Sequence, residues 1–482
     1  MKPPRSSDPS PRLRSTAARA VLAAALLAGC APPDATEPDG IRVAVEQFTL
    51  PNGLQVVLHR DTTSPIIATN IWYHVGSANE RPGRTGFAHL FEHIMFEGSK
   101  NVPEGKIDEW FEEVGGGPNG STSNDRTNYF QTFSSNALDM ALFIESDRMG
   151  WLLDAMSPAS VDGQRDVVKN ERRQSYDNRP YGLASQILGE RLFPEDHPYH
   201  WPVIGYMDDL SAAGYEDVVD FFRTYYTPNN ASLVVAGDID AVEARRLVEK
   251  WFGEIPRGPE VPPLEPSAPR HTEPDHVLLE DRVQLPRIVM TWVTPAAYAD
   301  DEAELLAFGR ILGDGKNSRL FKRLVYDMQI ADDVSAFQSS GRLASQFRIS
   351  ATARTGHDLA ELERVILEEL EALRSTPPES GELTRVMNQM EVGFYERLER
   401  VDAKANQLNE YLFLTGDADY FQQDLDRILA LTPEGVTAAA ERHLDPNARN
   451  VLSIVPQGRL ELAVPGSELI ARDNLAQSPR AR

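Results

Sequence analysis

The 482-residue chain has a single cysteine, Cys30. One thiol excludes an internal disulfide framework and any zinc site built from several cysteines, so metal chemistry would fall to His and carboxylates. Bilayer-spanning apolar runs are missing too: the apolar stretch Ala20 to Gly29 has about half the length a transmembrane helix needs. Positive charge is scarce. With 48 basic against 73 acidic residues the net charge is −25, a field that opposes binding to nucleic acid or anionic lipid. What remains is the composition of a globular protein, 41% hydrophobic and 25% charged, able to bury a sizeable core. Its length implies two or three domains.

The amino terminus reads as an address. Residues 1–29 carry Lys2, Arg5, Arg12, Arg14 and Arg19 against one acid, Asp8, ahead of the apolar stretch, the pattern of a secretory signal. It ends Leu27-Ala28-Gly29-Cys30, which resembles the lipobox of bacterial lipoproteins, where the cysteine is lipidated and becomes the first residue. That resemblance implies a periplasmic protein anchored through lipidated Cys30. Ala31, where an inner-membrane retention signal would have Asp, directs the anchor to the outer membrane. The alternative is a plain cleaved signal with Cys30 incidental. Residues 30–42, rich in Pro and acids, read as a flexible tether.

From Val43 the pattern alternates strand, turn and strand: Val43 to Leu50, Leu54 to His59 and Ile66 to His74. Helical periodicity follows near Gly86 to Phe96, then at Gly105 to Val114, Ala137 to Leu153, Asp162 to Asp177 and Tyr215 to Tyr226, with a strand at Ala231 to Ala236. Strands mixed with long helices imply an α+β fold. Residues 253–275 are proline-rich without apolar periodicity, as an interdomain linker is. They separate a first domain, 43–252, from a second, 276–460; the tail, 461–482, reads as disordered. The second half restarts the same order, a strand at Arg287 to Val293 and a helix at Glu302 to Leu312. Aligned on Gly98 and Gly315, HLFEHIMFEGS lies over LAFGRILGDGK, so the halves read as a duplication. In that register His89, Glu92 and His93 face Leu306, Gly309 and Arg310, and only the first half keeps the ionisable trio.

His89 and His93, four apart on a helix, project from one face and can share one metal ion. Glu92 lies on the same face, placed to take a proton from a water activated by that metal. A surface helix with two solvated histidines would show the same spacing. A catalytic zinc site needs a third protein ligand, and spacing alone does not name it.

The motif HxxEH, inverted relative to thermolysin-type proteases, resembles the signature of the pitrilysin/insulinase family of zinc metallopeptidases. The resemblance covers roughly Val43 to Val455 and is strongest in the first half. It implies one Zn2+ per chain, two α+β halves built of mixed strand/helix sandwich modules that make up half of a clam shell, and Glu171 in VVKNERRQSYDNRPYG as third ligand. The family's supporting Glu seven residues upstream is here Gln164, which can hydrogen-bond but adds no charge. Gly115 to Phe130, GGGPNGSTSNDRTNYF, is similar to the family's substrate-pairing edge strand, with Asn119 and Gly120 at the Asn-Ala positions that contact peptide. A ligand-free Gly/Asn-rich hairpin is the alternative for that segment.

One departure matters. Self-sufficient members carry an Arg and a Tyr seven residues apart in a later half, where Val325 and Asp332 stand here. Their loss removes donors worth about 3–4 kcal/mol of barrier; Arg323 or Tyr326 could substitute by a shift in register. Mitochondrial processing peptidases and some bacterial members split the work between a zinc-bearing and a zinc-less subunit. The resemblance therefore implies a zinc endopeptidase hydrolysing unstructured peptides in a closed chamber, paired as a heterodimer with a zinc-less homologous subunit carrying the Arg/Tyr pair. A homodimer is the lesser option. The rival is a catalytically silent lipoprotein scaffold or peptide-binding partner subunit of the same fold.

Overall fold

The computed structural model of the chain describes residues 40–266, 269 and 271–478. The signal segment and Cys30 lie outside the described residues. The strands are β1 (Glu46–Thr49), β2 (Gln55–Arg60), β3 (Ile66–Tyr73), β4 (Asn119–Thr122), β5 (Thr127–Ser134), β6 (Ala231–Gly237), β7 (Asp275–Asp281), β8 (Arg287–Thr294), β9 (Ala331–Ser339), β10 (Ser345–Ala353), β11 (Asn450–Pro456) and β12 (Glu468–Leu469). They form two six-stranded sheets, ordered β1-β2-β6-β3-β5-β4 and β12-β7-β11-β8-β10-β9.

The two orders are the same topology written twice. In each, a parallel pair (β2 with β6, β7 with β11) is followed by antiparallel neighbours in matching positions. Only the outermost strand differs, β1 entering from the amino-terminal side and β12 returning from the carboxyl-terminal tail. The fold is thus α+β with two duplicated halves. Between Ile255 and Asp275 the described residues form neither helix nor strand.

β3 and β6 are buried along nearly their whole length because both faces of their sheet are covered. Helices of the first half pack on one face. The other face receives a helix from the second half, Val401–Thr415. Its Asn409 donates to Asn70 O (2.8 Å) and accepts from Ser232 Oγ (2.7 Å), and Asn70 Nδ2 donates to Asn406 Oδ1 (3.3 Å). These bonds satisfy polar groups that burial would otherwise penalise. Phe413 of that helix lies 5.9 Å from Trp72 and 4.7 Å from His74, centroid to centroid. The exchange is reciprocal: Ile187 and Leu188 of the first-half helix Ala184–Leu192, with Leu183 before it, pack on Val277, Val289, Leu452 and Ile454 of the second sheet.

Contrary to the expectation of disorder over 461–482, the tail is ordered in its described part, 461–478. Through Gln477 and Ser478 it runs back over both halves: β12 pairs with β7, Leu475 is buried against Leu183 and Ile187, and Leu475 O accepts from Arg172 (2.9 Å) and Gln186 (2.7 Å). Few apolar residues suffice because the anchors are backbone carbonyls and one leucine.

Candidate metal centre

The motif helix is Phe87–Ile94. It starts at Gly86 with φ +86°, where an added Cβ would come within 2.8 Å of Ile204 O, so the entry turn requires glycine. Buried Glu80 accepts from the N–H groups of Gly86 (2.9 Å) and Ala88 (2.8 Å), capping the helix from outside its own sequence. Burial pushes the Glu80 carboxyl well up, against the pull of those N–H groups. Leu90, Phe91 and Ile94 point into the core, which turns His89, Glu92 and His93 to the opposite face.

Glu171 stands on a second helix, Pro158–Arg172. It begins four residues before the periodicity places it, because Ser157 Oγ accepts from Ser160 N (3.1 Å) and Pro158 fits the first turn. The next residue, Arg172, is buried and holds Gly205 O and Leu475 O, fixing the rotation of the helix end.

His93 Nε2 lies 3.3 Å and His89 Nε2 3.7 Å from Glu171 Oε2. One ligand atom from each of the three residues falls within 4.8 Å of the others, and no other such group of His, Cys or carboxylate donors occurs among the described residues. Two imidazole nitrogens and one carboxylate oxygen so spaced fit a single ion with bonds of about 2 Å and leave one position open. The His89 ring is the most enclosed of the three, at 13% side-chain exposure, and Glu171 the least, at 38%. Burial lowers the His89 pKa, Glu171 opposing. The imidazole of His93 holds the Glu171 carboxyl below its ordinary value, with burial opposing.

Glu92 sits under β4: Thr122 Oγ1 donates to its Oε2 at 2.6 Å. A Cβ built on Gly120 would fall 3.0 Å from Glu92 Cγ. Gly in place of the family's Ala therefore gives Glu92 room and is not spatially neutral. Asn119 is exposed, and its Oδ1 accepts from Gly120 N (2.8 Å). β4 is the last strand of its sheet, paired only with β5 among the described residues. The hairpin beyond it is tied down by Arg126, whose guanidinium donates to Ser121 O (2.8 Å) and lies over Trp72.

Gln164 donates to Glu97 rather than to any of the three donors. Glu97 interacts electrostatically with His93, so a carboxylate does approach the cluster, from the residue four past His93. In the second half, Val325 is half-buried against the core and Asp332 pairs with Arg354 (3.0 Å). Arg323 is held by Glu368 and by Glu369 at 2.6 Å, and Tyr326 is exposed beside Phe321. Glu80, Thr122, Glu97 and Arg126 escaped the sequence reading; Thr122 and Arg126 stand inside the segment quoted for its likeness, the other two carry no local signal. His197 and His200 are buried among Phe193 and Tyr199, apart from the cluster.

Duplicated six-stranded halves with an HxxEH helix in only the first are the fold of the inverted-motif metallopeptidases. Residues 55–192 match the model of "Insulinase (Peptidase family M16)" and residues 212–390 that of "Peptidase M16 inactive domain". The zinc protease PqqE of Helicobacter pylori is 32% identical over 393 residues, covering 79% of this chain and 87% of that protein. A crystal structure of a protease from Helicobacter pylori superposes with a TM-score of 0.81 at 28% identity, over 86% of this chain and all of that one. The periplasmic protease PqqL of Escherichia coli shares the fold at TM-score 0.73 and 18% identity, over 91% of this chain but 50% of that one. The chain belongs to the insulinase (M16) family of peptidases.

Proposed function

We propose that the protein is a zinc endopeptidase acting on unstructured peptides in a closed chamber, with His89, His93 and Glu171 holding one Zn2+ and Glu92 as general base. The observation that carries this is the convergence of those three donors beside Glu92, directly under an open sheet edge. A zinc ion so held supplies Lewis-acid activation of water and of the scissile carbonyl. The peptide lies along β4, paired through backbone groups, which makes binding tolerant of sequence. Asn119 and Gly120 meet it, and the bare Cα of Gly120 lets it approach Glu92. Glu92 takes the proton of the attacking water and passes it to the leaving amine, its direction set by Thr122. Gln164 supports the site through Glu97.

A second reading rests on Val325 and Asp332: with neither Arg nor Tyr at those positions, oxyanion donors come from another chain, or the protein is a silent scaffold of the same fold. The double length of PqqL, half of which this chain matches, supports a heterodimer with a zinc-less homologous subunit, ahead of a homodimer. The signal-like segment and the lipobox-like Leu27-Ala28-Gly29-Cys30 support a periplasmic location, with the chain held at the outer membrane by lipidated Cys30. No helix among the described residues is long and apolar enough to cross a membrane.

The test is cleavage of a mixed, unstructured peptide set by the zinc-loaded protein and by Glu92→Gln. The substitution is expected to abolish cleavage while zinc content and fold persist. Unchanged cleavage would remove Glu92 from the chemistry; silence of both, rescued by no second chain, would leave the scaffold.

A further inference from the structure

A cavity of about 270 Å³ lies between the halves, reaching towards the metal centre through Tyr176, which interacts electrostatically with Glu171. Tyr176 forms part of its wall and belongs to the π-helical turn Arg173–Asp177 that directly follows the Glu171 helix. Asn124, in the turn that leads out of β4, forms another part. A peptide lying on β4 over Glu92 thus leads towards this cavity.

Its chemistry is one-sided. Arg348 of β10 enters from the second half, with Gln346 beside it, and Ser185, Gln186 and Tyr199 face them from the first half. No Asp or Glu lines the cavity among the described residues. Arg348 makes no ion pair there; its guanidinium reaches only Ser185 Oγ, at 3.5 Å. The neighbouring arginine is different: Arg287 lies over the Tyr181 ring (3.9 Å), donates to Thr352 Oγ1 (2.9 Å) and approaches Asp333 at 3.8 Å. Burial, with Arg287 nearby, lowers the Arg348 pKa, the sign of a cation without a counter-charge. In a chain of net charge −25, where buried Arg148 pairs with Glu145 and buried Arg449 with Glu363, the half-buried Arg348 stands in a polar cavity without an acid of its own and is free to take an anion from a ligand.

Resting on the peptidase reading above, we infer that Arg348 and the polar wall around it bind a carboxylate of the peptide, either its free carboxyl terminus or an acidic side chain. The Tyr199 hydroxyl is taken by Asp125 and the Gln186 amide by Glu190 and Leu475 O, so the guanidinium fork of Arg348 with the Ser185 hydroxyl and the Gln346 amide is what matches a carboxylate in shape and charge. The overall acidity of the chain therefore does not by itself select cationic substrates, because among the described residues this part of the wall presents an arginine and no carboxylate to the cavity.

The experiment is a binding measurement on the full chain carrying Glu92→Gln, so that turnover plays no part. A fluorescein-labelled unstructured peptide is offered as free acid, as C-terminal amide, and as amide with a glutamate scanned along its length. The free acid is expected to bind about tenfold more tightly than the amide, and Arg348→Gln to erase the difference, while Arg348→Lys keeps part of it. If glutamate-bearing amides recover the affinity instead, and Arg348→Gln removes it, the carboxylate comes from a side chain. Equal affinity for all peptides in the unsubstituted cavity would overturn the inference without need of a variant, and would leave the peptidase reading standing. Failure of every peptide to bind would overturn both.

Discussion

Thr122 and Glu92 form the shortest chain of cause and effect in the molecule. The hydroxyl fixes one carboxylate oxygen at 2.6 Å, so the Glu92 carboxylate presents a defined direction. Thr122→Val keeps the shape and removes the donor; kcat/KM is expected to fall about tenfold, the worth of one charge-assisted hydrogen bond, with zinc content unchanged by metal analysis. An unaltered rate would mean that Glu92 is oriented by something else. The three clustered donors carry a pH signature. Protons compete with a metal for His89 and Glu171, and both pKa values lie below ordinary, His89 through burial and Glu171 through His93. Zinc binding is therefore expected to persist to lower pH than it would if these two groups titrated at their ordinary values. A competition titration with a chromophoric chelator follows this; weakening that begins above neutrality would contradict it. His89, Glu92 and His93 were legible because i and i+4 periodicity is local. Glu171 was legible only by likeness to a family. Thr122 reaches the site from β4 and Glu80 from the loop before the helix, while Glu97 lies just past the helix end, and no local pattern marks any of them as part of the site.

At the scale of elements, the duplication was visible in one eleven-residue register and is written in full in the two sheet orders. The exchange of covering helices was not visible. Asn406 and Asn409 look like a solvated face until Asn70 and Ser232 are set against them. The tail was misread for a related reason: composition reports apolar content, whereas this strap is held by Leu475 O on Arg172 and Gln186 and by Arg472 on Asp281. Deleting residues 466–482 uncovers the Leu475 pocket and strips buried Arg172 of an acceptor. The expected cost is about 3 kcal/mol, one buried leucine plus an unsatisfied hydrogen bond, read from denaturant unfolding. Because Arg172 adjoins Glu171, zinc affinity should fall in the same variant. A truncated chain as stable as the parent would show that the strap bears no load.

For the whole molecule the contact between halves decides behaviour. His74 lies on the first half with its ring against Phe413 of the second, and burial lowers its pKa to about 3. His197 is lowered to about 4 by the same cause. A histidine whose folded pKa is depressed leaves stability intact above its unfolded value of about 6.5; below that the unfolded chain takes the proton first. Stability is therefore expected to fall as pH drops from about 6.5 towards the folded values, by at most about 1.4 kcal/mol per pH unit for each such group. Unfolding midpoints at successive pH values test this, and His74→Gln should flatten the slope. Association belongs to this scale too: a zinc-less homologous chain that supplies an Arg/Tyr pair should raise kcat/KM of the zinc-loaded protein by about two orders of magnitude, the worth of an oxyanion donor. The most direct single measurement is anomalous diffraction at the zinc edge from crystals grown with zinc. One peak about 2 Å from His89, His93 and Glu171 is expected, with the fourth position facing Glu92. Zinc bound elsewhere, or none at these three residues, would refute the metal centre and with it the peptidase.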